Sequence, residues 1–298
     1  MARAARRRAS RRRASSGRVA AHTVVNLEAV STLTWHAVGA YAIAGALYLA
    51  HLVGLRRGAE NAARVLVAVG VALHFADIGF RCYHGSTPIS STPEAMSLVA
   101  FIVGAVFLLT SLRYPLTAAG AFAVPAVVAL ILLARLAPAE APVQDGVMLP
   151  AMGRLGQAHI LLATLGVAVF AFAAVLAIVY LFQDRSLKRK QLDRAIDRGT
   201  PLDTLDRLAH RCVSIGFPVF TLAIVTGAIW VARLGLLHGR GTLRPEYLIA
   251  VGTWIAFAIL IIARVGAGWR GRRAAWLTLG GFGGTALVVA GYFIRHAV

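Results

Sequence analysis

Nine histidines stand at positions 22, 36, 51, 74, 84, 159, 210, 238 and 296. Neutral imidazole is the commonest metal ligand in proteins and the usual axial partner of haem iron, so the placement of these rings decides what chemistry is open to the chain. His74 is followed one helical turn later by Asp77, in Ala72-Leu73-His74-Phe75-Ala76-Asp77. Such a pair at membrane depth either orients a ligand imidazole or satisfies its own polar atoms. His36 and His51 are about 22 Å apart along a helix, a spacing that suits a haem near each face of a membrane, but no matching second pair is present. Cys-x-x-Cys and Cys-x-x-Cys-His are absent, which excludes covalent c-type haem attachment to this chain. No nucleophile–base set or metal-hydrolase spacing occurs either, so no stand-alone enzymatic activity is expected.

The elements that must position these rings are membrane helices. Of 298 residues, 58% are hydrophobic and only 14% charged, where soluble domains carry about a quarter charged residues. Apolar runs recur at 33–55, 62–80, 95–112, 118–136, 158–182, 212–237, 247–265 and 275–294. Each is long enough for a helix to cross a hydrocarbon core of about 30 Å. The expected fold is therefore all-α, a polytopic membrane protein with about eight transmembrane helices. An outer-membrane barrel would instead alternate in ten-residue segments. The net charge of +19 is concentrated at the N-terminus and in the stretch 185–211, a topology signal rather than a nucleic-acid footprint.

Alternate loops differ in Arg and Lys content. The set 56–64, 113, 185–211 and 264–273 holds more than twice as many as the other set, which has Arg81, Arg135, Arg154, Arg233, Arg240, Arg244 and Arg295. The positive-inside rule then puts 185–211 in the cytoplasm and the C-terminus outside. His36, His74, His84, His159, His238 and His296 fall in the outer half or outer loops. His51 and His210 fall near the cytoplasmic face, and His22 in the N-terminal tail. Cys82 and Cys212 fall on opposite faces and cannot pair. Eight spans put the N-terminus outside as well, against the preference of Arg3, Arg6, Arg7, Arg8, Arg11, Arg12, Arg13 and Arg18. Residues 1–30 read as a basic, disordered tail without a signal-peptide core, and the true start is expected near Val24 or Val25. Residues 31–298 form the membrane domain, with a cytoplasmic loop at 183–211 expected to be an amphipathic helical hairpin around Gly199-Thr200-Pro201.

A family resemblance lies in the last third. Gly227-Ala228-Ile229-Trp230, a polar loop, a helix with Trp254 and a terminal Arg264 come first. Gly268-Trp269-Arg270-Gly271-Arg272-Arg273-Ala274-Ala275-Trp276 and a last helix reaching His296 follow. This order resembles the C-terminal part of the cytochrome c assembly family, whose members include CcsA, CcmC and HemX-like proteins. The resemblance implies two axial haem ligands on the outer side, one opening a helix as His159 does and one closing the last helix as His296 does. It also likens Gly85 to Met96 to the family's outer loop before the third helix, where Thr92-Pro93-Glu94 reads locally as a helix start with Thr as cap.

The pattern breaks in the Trp-rich outer loop that the family uses as a haem platform. Between Trp230 and Trp254 no tryptophan remains, and only Arg244-Pro245-Glu246 echoes its end. The family's membrane-embedded His aligns with Ile262. The resemblance thus implies a divergent member of the bacterial inner (cytoplasmic) membrane, acting in cytochrome c maturation or haem supply. Haem b would be held non-covalently at the outer face by His159 and His296. Trp230 and His74 are further candidates at that site, with Arg233, Arg240 or Arg244 pairing with propionates. Expected partners are haem, the bilayer, and other maturation proteins or apocytochrome c. Two alternatives stay open: a HemX-like regulator of tetrapyrrole synthesis acting through 185–211 without haem, and a small-solute transporter. The latter rests on Phe217-Pro218 and on the Gly280-Gly281 and Gly283-Gly284 interruptions.

Overall fold

Long apolar runs have one means of satisfying their backbone inside a lipid layer, the hydrogen bonds of a helix. The computed structural model, which describes residues 32–54, 58–136, 148–188, 200–233 and 245–297, is helical throughout its regular elements. The helices are α1 (Thr32–Leu52), α2 (Ala59–Tyr83), α3 (Thr92–Ser111), α4 (Thr117–Leu136), α5 (Met148–Lys188), α6 (Leu202–Arg233), α7 (Pro245–Gly266) and α8 (Arg272–Ala297). All eight are long and apolar enough to cross a membrane. The protein is an all-α polytopic membrane protein, as its composition predicts.

Polar contacts show how the helix ends gather. At one end Arg135 of α4 bonds Thr34 of α1, Arg81 of α2 bonds Glu94 of α3, and His159 of α5 meets α6. At the other end Thr117 of α4 donates to Glu60 of α2 (2.8 Å), Thr200 donates to the Pro115 carbonyl (2.5 Å), and Arg264 of α7 binds Asp206 of α6. The eight helices therefore run alternately up and down. The chain's described start and the end of α8 share the end that holds His159.

Close approach depends on glycine facing an aromatic ring. Tyr41 lies against Gly70 and Gly104, Tyr48 against Gly120, Phe170 against Gly216, and Phe257 against Gly281. Small residues at such crossings let helices pack in lipid without a hydrophobic driving force. Phe170 and Phe257 stack at 3.8 Å and tie α5 to α7.

Two expectations change here. Residues 183–188 and 202–211, the described parts of the expected hairpin, are helical and continuous with α5 and α6. The reason is apolar continuity: Leu205 and Leu208 are buried in the core, while Asp203 and Arg207 pair on the exposed side. Residues 189–199 lie outside the described residues. The supposed transporter interruptions are not breaks either. Pro218 sits inside α6, and the glycine run sits inside α8, where Gly281 and Gly284 face Phe257 and Thr253 of α7. The backbone does leave helical geometry at Gly153 (φ 54°, ψ 179°), where the membrane-crossing part of α5 begins.

Candidate functional site

His159 sits a turn and a half into α5 beyond Gly153 and faces α6. Its Nδ1 is 2.7 Å from the Ala223 carbonyl oxygen. A carbonyl can only accept, so Nδ1 carries the proton and donates it. In a neutral ring that leaves Nε2 with a bare lone pair, the form in which histidine binds a metal while its other nitrogen is fixed by a carbonyl. No described residue bonds Nε2. Gly227 makes room for the ring, because a Cβ there would lie 2.7 Å from His159 Cε1 and 2.8 Å from Nδ1. Trp230, one turn further along α6, brings its ring to 6.1 Å from the imidazole at 38°. Its indole Nε1 is buried with no hydrogen-bond partner among the described residues. Gly227-Ala228-Ile229-Trp230 is thus a slot and a wall for one imidazole.

His74 is arranged in the opposite sense. It is wholly buried, with Nε2 3.0 Å from Ser97 Oγ. Arg81 Nη2 donates to the same hydroxyl at 3.2 Å, and the hydroxyl's second lone pair and its proton leave the Ser97–His74 bond open to either direction. Nε2 of His74 is therefore engaged with Ser97, while Nδ1 is buried with no partner among the described residues. The expected pairing with Asp77 does not form. Asp77, also wholly buried, binds Arg81 (2.8 Å) and lies 3.5 Å from Arg135, because two guanidinium groups outcompete a neutral imidazole for a carboxylate. Arg81 also reaches Glu94 at 2.5 Å. Neither Arg135 nor Ser97 stood out in the sequence. Each carries a polar group at a helix end or on an apolar face, with no local pattern to mark it.

The remaining candidates divide. His296 lies in the last turn of α8, at the same end of the bundle as His159. Arg244, Arg240 and His238, and nearly all of the loop expected to hold the haem platform, lie outside the described residues. Arg233 is exposed at the end of α6. The cap of α3 is Ser91 rather than Thr92: its side chain accepts from the Glu94 backbone N–H at 3.3 Å, and Pro93 falls within the first two helical positions. His36 is engaged locally, its Nδ1 2.7 Å from the Thr32 carbonyl.

The family-like Gly268–Trp276 stretch lies at the opposite end from His159. Gly268 and Gly271 both adopt left-handed backbone (φ 64° and 67°), which only glycine takes without cost. Asp206 clasps this turn. Its carboxylate takes Arg264 in two contacts of 3.0 and 2.5 Å and also accepts the Gly271 backbone N–H at 3.0 Å. Asp206→Asn keeps the shape but loses the charge-assisted pairing. Limited proteolysis is expected to cut after Arg270 or Arg272 several-fold faster in that variant; an unchanged rate would show that the turn holds itself.

Fold and site together define a multi-pass helical membrane protein that holds the His159 ring by its Nδ1 at one end of the helix bundle. The family described as cytochrome C assembly protein matches residues 89–296. The chain belongs to the cytochrome c assembly protein family. Among curated proteins it is similar to the cytochrome c biogenesis protein CcsA of Synechococcus elongatus, 35% identical over 97 residues that cover 33% of this chain and 29% of the relative. CcsA of Synechocystis sp. is 36% identical over 85 residues, 28% of this chain and 25% of the relative. CcsA of Gloeothece citriformis is 34% identical over 88 residues, 30% and 26%. The matched stretches thus span less than a third of these relatives' length. No solved structure matches.

Proposed function

We propose that this protein binds haem b non-covalently at the membrane end holding His159, where His159 and His296 would hold the iron. It would act in cytochrome c maturation or haem supply. The observation that carries this reading is the His159 Nδ1–Ala223 carbonyl contact of 2.7 Å, which reserves Nε2 for a metal. The residues fit the group in a second way. Trp230 offers a buried indole N–H with no described partner beside that ring, a donor suited to an acceptor on a bound molecule. Haem supplies the iron and two propionates, and Arg244 or Arg233 is the cationic partner for the latter. This chain's part is to fix the tautomer, shape the slot with Gly227 and hold the imidazole at the membrane edge. Handling haem for cytochromes made outside the cytoplasm puts that end on the outer side of a bacterial inner membrane. His74, whose Nε2 is engaged with Ser97, serves the packing of α1–α4 in this reading.

Oxidised and dithionite-reduced absorption spectra of detergent-purified protein test the proposal, beside His159→Ala and His296→Ala. A Soret band with sharp reduced α and β bands, lost or shifted in both variants, is the expected result. A protein that stays colourless even with added haem would overturn it. The regulatory reading, which needs no bound haem, would then stand.

A further inference from the structure

We infer that the ring of side chains around His74 is a hydrated binding site whose ligand is water, opening toward the membrane end that holds His159. Four groups are joined in series, Asp77 to Arg81, Arg81 to Ser97 and Ser97 to His74, at 2.8, 3.2 and 3.0 Å. Three of their atoms, His74 Nδ1, Asp77 Oδ1 and Arg81 Nε, are buried without a hydrogen-bond partner among the described residues. His74 and Asp77 are 0% exposed and Arg81 7%. Buried polar atoms are paired in the great majority of proteins, so three orphans in one ring point to a ligand.

The character of the atoms selects it. The Asp77 carboxylate Oδ1 can only accept and Arg81 Nε can only donate, so the ligand must do both, and His74 Nδ1 takes either role with the ring's tautomer. Two guanidinium groups, Arg81 and Arg135, repel a metal cation, and the carboxylates of Asp77 and Glu94 repel an anion. An organic body is excluded by the rings of Tyr41 and Phe101, which stand edge-on to His74 at 6.3 and 5.7 Å. A small, neutral, amphoteric molecule remains. The ring is most exposed where Glu94 (19%) and Arg135 (32%) reach the helix ends, and water would enter there. The site straddles a boundary in the chain. His74, Asp77 and Arg81 precede the family-matched segment, while Glu94, Ser97 and Arg135 lie within it, so water would lubricate the seam between α1–α2 and the family core.

Hydroxyl-radical footprinting by synchrotron radiolysis, read by mass spectrometry on the full chain in nanodiscs, tests the inference. Radicals form on bound water, so a side chain that touches it is oxidised even when buried. His74 is expected to label within about tenfold of exposed His84, while Phe107, equally buried in the same core, stays at least about tenfold below His74. Silence at both residues overturns the site. Equal labelling of both, which would report general penetration of the bundle, overturns it as well.

Discussion

Gly227→Ala is expected to empty the protein of haem as fully as His159→Ala. The added methyl carbon would sit 2.7–2.8 Å from the imidazole, inside the distance that carbon and nitrogen atoms tolerate. The ring must tilt away, lengthening its bond to the Ala223 carbonyl. Both consequences are harmful: the tautomer loses its anchor, and Nε2 leaves the position from which it would bind iron. Loss of an outer-shell hydrogen bond alone weakens metal sites about 10–100-fold. The change in α6 itself is mild, since alanine is the better helix former, so the variant should fold. Haem content per protein after reconstitution measures the effect. A Gly227→Ala protein with a wild-type Soret band would show that the slot does not govern the site. Ala228→Gly, on the exposed neighbouring position, should leave haem content unchanged.

Asp77→Ala is expected to be the most destabilising single change in the α1–α4 half. Asp77 is the only described acceptor bridging Arg81 and Arg135, and it is wholly buried. Removing it leaves two guanidinium groups facing each other, with Glu94 as the sole counter-charge. Breaking a buried ion pair from one side costs about 3–5 kcal/mol, because the surviving charge stays desolvated. Ser97→Ala removes a neutral hydroxyl from the same ring and should cost about 1–2 kcal/mol. Unfolding in mixed micelles of rising denaturing-detergent fraction ranks the two. Equal stabilities would mean that the ion pairs contribute nothing beyond ordinary hydrogen bonds.

How far the sequence could be read depended on the kind of signal. The eight spans are visible because a helix crossing lipid needs an unbroken apolar run, and their number and order survive in the structure. Their ends are less legible: α5 and α6 continue beyond the expected spans because Leu205 and Leu208 keep an apolar stripe among charged neighbours. His159 and Trp230 were found through family likeness, but the device joining them was not. A backbone carbonyl has no sequence signature, and Gly227 reveals its purpose only when the facing helix is known. His74 shows the reverse case. Its spacing from Asp77 suggests a local pair, yet Arg81, one turn further on, and Arg135 from a distant helix take the carboxylate, and Ser97 of α3 engages the imidazole instead. Local spacing describes one helix, while hydrogen-bond competition is settled among several.

The pairing of α5 with α6 also has a consequence for how the molecule is made. Everything described around the His159 ring, the Ala223 carbonyl, the Gly227 slot and the Trp230 wall, comes from these two consecutive helices. A chain inserted into the membrane from its N-terminus therefore completes this half of the clamp while α7 and α8 are still unsynthesised. His296 arrives only with the final helix. Under the proposed function, capture of haem by both imidazoles would therefore wait for insertion of the last helix.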